Sequence, residues 1–106
     1  MNAAEVTVLQ QPPTPLEFAK SMAQSEQSSI LLVSGPIPMD SGYPARDHAN
    51  IIQIATIIAH GRRKIGLYRI LQRQELHRVI EDMEHHGGYR CALYLPDGSL
   101  DSGYFL

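Results

Sequence analysis

The sequence has one cysteine, no tryptophan and few charged residues. Because Cys91 is alone, an intramolecular disulfide and a cysteine metal cage are both excluded. The first ten residues lack a basic start followed by an apolar run, so we expect no secretory signal and a reducing compartment, the cytoplasm. The richest apolar stretch, residues 51–59, is far shorter than the ~20 residues that a membrane helix needs, and we expect no membrane partner.

Charge and length place the chain in an ordinary class. With 106 residues, 43% of them hydrophobic and 19% charged, it has the composition of one globular domain. The net charge of −2 gives no general attraction to nucleic acid. We expect a flexible N-terminal segment over residues 1–13, in which alternation from Val6 to Gln10 would allow a short strand, and a single α+β domain over residues 14–106.

Two segments have clear helical signals. Thr14-Pro15-Leu16-Glu17 combines a hydroxyl cap, proline at the first helical position and glutamate three residues after the cap, which predicts a helix through about Gln27. The second helix is predicted over 74–86, where a stripe of apolar residues repeats at helical spacing and Gly87-Gly88 ends the pattern.

Three segments favour strands. Residues 29–34 form a short apolar run closed by Gly35-Pro36, and residues 64–71 alternate well enough for a second strand. A C-terminal hairpin is predicted from Tyr89 to Leu95, with a turn at Pro96-Asp97-Gly98 and a return over 100–106. Between the first two strands, prolines and glycines predict an irregular loop from Gly35 to Tyr43.

Residues 44–60 allow two interpretations. As a helix, Ile51, Ile54, Ala55 and Ile58 form an apolar face that ends at Gly61. As a strand, six of the nine residues from 51 to 59 are isoleucine or threonine, whose branched Cβ atoms favour extended backbone. We favour the helix, because a strand starting near Asn50 leaves a long structureless loop before it.

These elements predict an α+β fold in one small domain. The expected architecture is a mixed or mainly antiparallel sheet of about four to five strands, with a C-terminal β-hairpin, packed against two or three helices. The helix from Gln74 has one apolar stripe and should cover one face of the sheet.

The first candidate site is a basic segment. Five cations occur between residues 62 and 73 without an intervening acid, and guanidinium groups suit phosphate oxygens. This anion or nucleic-acid site would consist of Arg62, Arg63, Lys64, Arg69 and Arg73. The alternative is a solvated turn whose cations pair with the acidic helix that follows.

Metal and catalytic patterns give no site. His77, Glu81 and His85 lie along one side of the second helix, but the two imidazoles are about 12 Å apart by helix rise, too far to share one ion. Cys91 alternates with apolar residues on the inward face of a strand, which is typical of a buried thiol. We therefore predict no metal, no cofactor and no catalytic residue, and an enzyme would need Cys91 or a His/Asp pair to converge in a pocket.

The second candidate site is the outer face of the terminal hairpin, where alternation places Arg90, Tyr94 and Tyr104. Tyrosine and arginine are enriched at protein interfaces. We therefore predict a small non-enzymatic interaction or regulatory module that binds another protein or itself. Anion or nucleic-acid binding through the basic segment is the alternative, and a small enzyme is the third hypothesis.

Overall fold

The computed structural model describes residues 14–35 and 43–101. Two helices and four strands occur in these ranges, together with one short 3₁₀ turn at Arg73–Glu75. In chain order they are α1 (Pro15–Glu26), β1 (Ile30–Gly35), β2 (Ile52–His60), β3 (Arg63–Ile70), α2 (Leu76–His86) and β4 (Arg90–Tyr94). The expected flexible segment at 1–13 lies outside the described residues, as does most of the predicted loop from Gly35 to Tyr43.

The strands form one antiparallel sheet in the order β2-β3-β1-β4. In its central pair, Leu32 of β1 lies opposite Leu67 of β3. On the other side of β1, Leu32 lies opposite Ala92 of β4. This confirms the predicted α+β class with a mainly antiparallel sheet.

The helix α1 begins as its sequence predicts. Thr14 has extended backbone angles, and its Oγ1 accepts a hydrogen bond from the Glu17 N–H at 3.2 Å. Gln27 ends the helix in the left-handed conformation, with a φ of 51°. An N-cap of this kind stabilises a helix by about 1 kcal/mol, so the local sequence determines where α1 starts.

The sheet is covered on both faces. On one face, Leu76, Val79 and Met83 of α2 pack against apolar residues of the strands, as the stripe predicts. On the other face, Ala19 and Ala23 of α1 do the same. The small alanine side chains let α1 lie close to the sheet, and the result is a three-layer arrangement with a core on each side of the strands.

The predicted helix over 44–60 is wrong. Residues 43–51 form a series of turns, and β2 follows as a strand. The pairing of β2 with β3 contains a β-bulge between Ile54 and Thr56. A bulge interrupts the strict alternation of side chains, so the spacing of apolar residues in this strand resembles that of a helix. The branched side chains of its isoleucines and threonine nevertheless favour extended backbone.

The C-terminal hairpin is present as far as the structure describes it. Beyond β4, Tyr94 forms an isolated bridge with Leu100, and the Asp101 N–H donates to the Leu93 carbonyl at 2.9 Å. The rest of the predicted return, 102–106, lies outside the described residues. Within the described part of the chain, neither helix has the length and hydropathy to cross a membrane.

Candidate interaction surface

The strand β2 lies at one edge of the sheet, with β3 on its inner side. Its nine residues, I-Q-I-A-T-I-I-A-H, include no proline, lysine, arginine or acid. In the part of the chain that the structure describes, no strand pairs with its outer side. Edge strands are normally protected by short length, charge, proline or a bulge. The strand β2 has no proline, lysine, arginine or acid, and its bulge between Ile54 and Thr56 leaves the residues on both sides regularly paired with β3.

The side chains of β2 alternate between the two sheet faces, and the bulge changes the phase of that alternation. Ile54 lies opposite Tyr68 and Ile57 lies opposite Gly66, so both point to the α2 face. Thr56 lies opposite Leu67 and therefore points to the α1 face. Because opposite residues of an antiparallel pair share a face, the bulge places residues three apart, Ile54 and Ile57, on the same face.

An apolar groove of about 380 Å³ adjoins the first half of β2 on the α2 face. Ile54 is 40% exposed there and Leu71 is 52% exposed. The complete lining is Ala45, Arg46, Ala49, Ile52, Gln53, Ile54 and Leu71. Three successive residues of the edge strand, Ile52, Gln53 and Ile54, line this groove, so an extended segment paired with that part of β2 would lie beside it.

The turn segment 43–51, which forms one wall of the groove, is tied to α2 by a carboxylate. Asp82 Oδ2 lies 2.9 Å from His48 Nε2 and 3.1 Å from the Tyr43 hydroxyl. A carboxylate only accepts, so both groups donate to it. On the other side, the Ile51 carbonyl accepts from the Leu71 N–H at 2.7 Å, which joins the segment to the end of β3.

His86 adds a second contact to this cluster. Its Nδ1 lies 2.9 Å from the Asp82 carbonyl oxygen, which only accepts, so Nδ1 carries a proton. The same Nδ1–H therefore also faces the Tyr43 oxygen, at 3.1 Å. The Tyr43 ring lies 4.5 Å from the imidazole, measured between centroids. Tyr43 is buried and belongs to the hydrophobic core between α2 and the sheet, so these contacts join the turn segment to that core.

The electrostatics of the cluster favour the ionised carboxylate. The hydrogen bond from His48 is the largest cause that lowers the pKa of Asp82 below its usual value, and Tyr43 adds to it. Burial is the first cause that raises the pKa of Tyr43, followed by Asp82. The ionised carboxylate of Asp82 accepts hydrogen bonds from His48 and Tyr43. These two bonds position the turn segment 43–51 against α2.

The structure separates the five cations of the basic segment. Arg62 is exposed in the turn between β2 and β3, whereas Arg63 donates to Ser34 Oγ at 2.7 Å and to the carbonyls of Ser34 and Gly88. Lys64 faces the other side of the sheet, opposite Gly35. Arg62 and Arg63 therefore remain near each other, but they do not share a face with Lys64.

The other two cations of that segment pair with carboxylates elsewhere. Arg69, near the far end of β3, donates to Glu26 of α1 from Nε at 2.8 Å and from Nη2 at 3.0 Å. Arg73 Nη2 donates to Asp101 at 2.7 Å. Since the strand rises about 3.3 Å per residue, Arg69 lies about 20 Å from Arg63 and cannot join it on one phosphate.

The predicted hairpin interface is largely covered. Alternation assigns Arg90 and Tyr94 to the same face, and the registers agree, but α1 packs on that face. Tyr94 is only 4% exposed and belongs to the α1 core, whereas Arg90 is exposed. Tyr104 lies outside the described residues. The correction concerns Tyr94, whose ring contributes to packing and is not on the surface.

Cys91 is buried against Met83, with the sulfur atoms 4.0 Å apart. Burial raises the pKa of its thiol to about 12, so the thiolate that a nucleophile requires is not formed at neutral pH. This placement confirms the expected buried thiol. Within residues 14–35 and 43–101, no group of three or more His, Cys, Asp or Glu residues is arranged to hold a metal ion.

Sequence reasoning missed both parts of this surface. The open edge was hidden by the helical interpretation of 44–60, although the uncharged, β-branched run was a usable signal. The contact between His48 and Asp82 joins residues 34 positions apart, and no local pattern indicates it. Comparison with protein-family models, with curated proteins and with solved structures found no match to this chain.

Proposed function

We propose that this protein is a small non-enzymatic interaction module that binds an extended polypeptide segment along β2. One observation carries the proposal: β2 has nine residues without charge or proline, at an edge of the sheet with no strand on its outer side in the described residues. An added strand would form main-chain hydrogen bonds with this edge, and alternate side chains would supply specificity. The adjoining groove would receive one or two apolar side chains of the ligand.

The other edge of the sheet is less suited to this role. The segment that contains Leu100 and Asp101 already bonds to β4, through the Tyr94–Leu100 bridge and the bond to Leu93. Added strands need free N–H and C=O groups in a row. We therefore place the binding function on β2 and no longer on the terminal hairpin.

Selection from a displayed library of extended peptides tests the proposal. The wild-type chain should select uncharged sequences with alternating apolar residues. The variant Ile54→Lys should lose those peptides, because a lysine on an edge strand opposes strand addition. Ile54 is already 40% exposed, so the fold should tolerate the change. Leu16→Lys on α1 is the matched control, since Leu16 is 51% exposed on the other sheet face.

Peptides that bind Ile54→Lys as well as the wild type would overturn the assignment to β2. A library that yields no peptide with strand-like alternation would overturn the binding mode itself.

Anion or nucleic-acid binding remains the alternative hypothesis, and its support is now Arg62 beside Arg63. It predicts salt-sensitive amide shifts near these residues when a short mixed-sequence RNA and DNA pool is added. It also predicts that Arg62→Ala together with Arg63→Ala abolishes those shifts. A silent titration at low salt would remove this alternative.

The enzyme hypothesis required a His/Asp pair to converge, and His48 does meet Asp82. The second donor on the carboxylate is Tyr43, so both contacts of Asp82 join the turn segment 43–51 to α2, and neither His48 nor Asp82 lines the groove. We therefore assign the pair a positioning role, and we expect loss of the Asp82 carboxylate to lower stability.

A further inference from the structure

We infer that the segment bound along β2 is β2 of a second copy of this chain, paired antiparallel about a two-fold axis; this rests on the proposed function. The first reason is charge. A strand that pairs with itself opposes equal residues, and like charges directly opposite each other destabilise such a pair. Since β2 has no lysine, arginine or acid, self-pairing meets no repulsion along its length.

The second reason is the register that the bulge permits. Opposite residues of an antiparallel pair must point to the same sheet face. In β2, Ile52 and Ile54 point to the α2 face before the bulge, and Ile57 and Ala59 point to it after the bulge. One register satisfies the rule over the whole strand: Ile54 opposite Ile57 of the second copy, and Ile52 opposite its Ala59.

The residues of β2 that point to the α1 face are also matched in this register. Gln53, opposite Arg69, and Ile58, opposite Ile65, both point to that face. In the pairing above, Gln53 lies opposite Ile58 of the second copy. A shift by one residue would place Ile54 opposite Ile58, which point to different faces, so the shifted pairing fails. The two-fold axis then passes between Ala55 and Thr56, where both strands bulge.

The third reason is the groove. It adjoins Ile52 and Ile54 in the first half of β2. The inferred register places Ile57 and Ala59 of the second copy beside them, so the second half of one strand covers the groove of the other. Because of the symmetry, each copy supplies one groove and the side chains that cover the other groove.

Cysteine cross-linking between copies tests the register. Opposite residues have Cα atoms about 4.5–5.5 Å apart, which is within disulfide range. The variants Ile54→Cys and Ile57→Cys, carrying tags of different mass, are mixed and mildly oxidised. We expect the mixed disulfide to exceed either homodimer several-fold. A mixture of Ile54→Cys with Ile58→Cys is the matched control, and wild type controls for Cys91, which is buried.

A measurement on unaltered protein keeps the inference testable if a variant fails to fold. In a mixture of ¹³C-labelled and unlabelled wild-type chains, isotope-filtered spectra should show methyl contacts between Ile54 of one copy and Ile57 of the other. The mass measured by sedimentation should rise with concentration. Contacts or disulfides that match another register would overturn the inferred pairing.

A chain that stays monomeric at high concentration would overturn self-pairing, whether its own residues 1–13 cover β2 or the edge stays open. The proposed function is tested by a different result: it is overturned only if the peptide selection yields no peptide whose binding depends on Ile54. A monomeric chain that still selects such peptides would identify the ligand as a segment of another protein.

Discussion

Replacing Asp82 by asparagine should lower stability in a pH-dependent way. The change removes the carboxylate that accepts from His48 at 2.9 Å and from Tyr43 at 3.1 Å. Hydrogen bonds to charged groups contribute about 1.5–3 kcal/mol each to the free energy of unfolding. The Asp82 side chain is 34% exposed, so solvent screening reduces them, and we expect the free energy of unfolding to fall by about 1 kcal/mol in total.

The pH dependence follows from the direction of the pKa shift. The pKa of Asp82 is lower in the folded protein than in the unfolded chain, so its contribution to stability is complete above the unfolded value of about 4. The contribution is lost as the pH falls through the lower, folded pKa. Wild type and Asp82→Asn should therefore differ at neutral pH and converge in strong acid.

Urea unfolding at a series of pH values measures this difference, and thermal unfolding should show a decrease in Tm of about 5 °C at neutral pH. Glu81→Gln, an exposed neighbour on the same helix, is the matched control for loss of one negative charge. Equal stability of Asp82→Asn and wild type at neutral pH would refute the positioning role. So would a difference that persists unchanged in strong acid.

Three further outcomes are expected. Tyr68→Phe should raise the free energy of unfolding by about 1 kcal/mol, because the buried Tyr68 hydroxyl has no hydrogen-bond partner among the described residues; a loss of stability in urea would show that the hydroxyl is bonded. Gly66→Ala should lower stability by about 1–3 kcal/mol, since its Cβ would lie 2.6 Å from the Tyr68 ring, and the double variant with Tyr68→Phe should retain part of that loss. The Cys91 thiol should react with a thiol reagent only after denaturant is added, because it is buried with a pKa raised to about 12; rapid reaction of the native protein would contradict its placement.

The elements that sequence predicted correctly are those with strong local signals. Thr14 and Glu17 determine the start of α1, and the stripe that includes Val79 and Met83 determines which side of α2 is buried. Such signals need only the geometry of one helix. They do not depend on where other elements lie.

The errors came from tertiary structure. The bulge after Ile54 disrupted the alternation of β2, and the resulting spacing was interpreted as a helix. Tyr94 was assigned to the correct face, but nothing in the hairpin sequence indicates that α1 covers that face. The ion pair of Arg69 with Glu26 likewise depends on how α1 packs. Contacts of this kind are set by packing between distant segments, which single-sequence patterns do not encode.

Amide hydrogen exchange along β2 tests the central claim most directly. The probe is a synthetic peptide with the sequence of residues 51–60, extended by lysines at both ends for solubility, and it is added to protein dilute enough for sedimentation to show a monomer, so that no second copy already occupies the edge. We predict that the peptide slows exchange of β2 amides on the outer edge, in wild type and in Leu16→Lys but not in Ile54→Lys, while α1 is unaffected. Exchange in β2 that does not change as peptide is added would contradict the account, because an open edge that accepts its own strand must then gain protection.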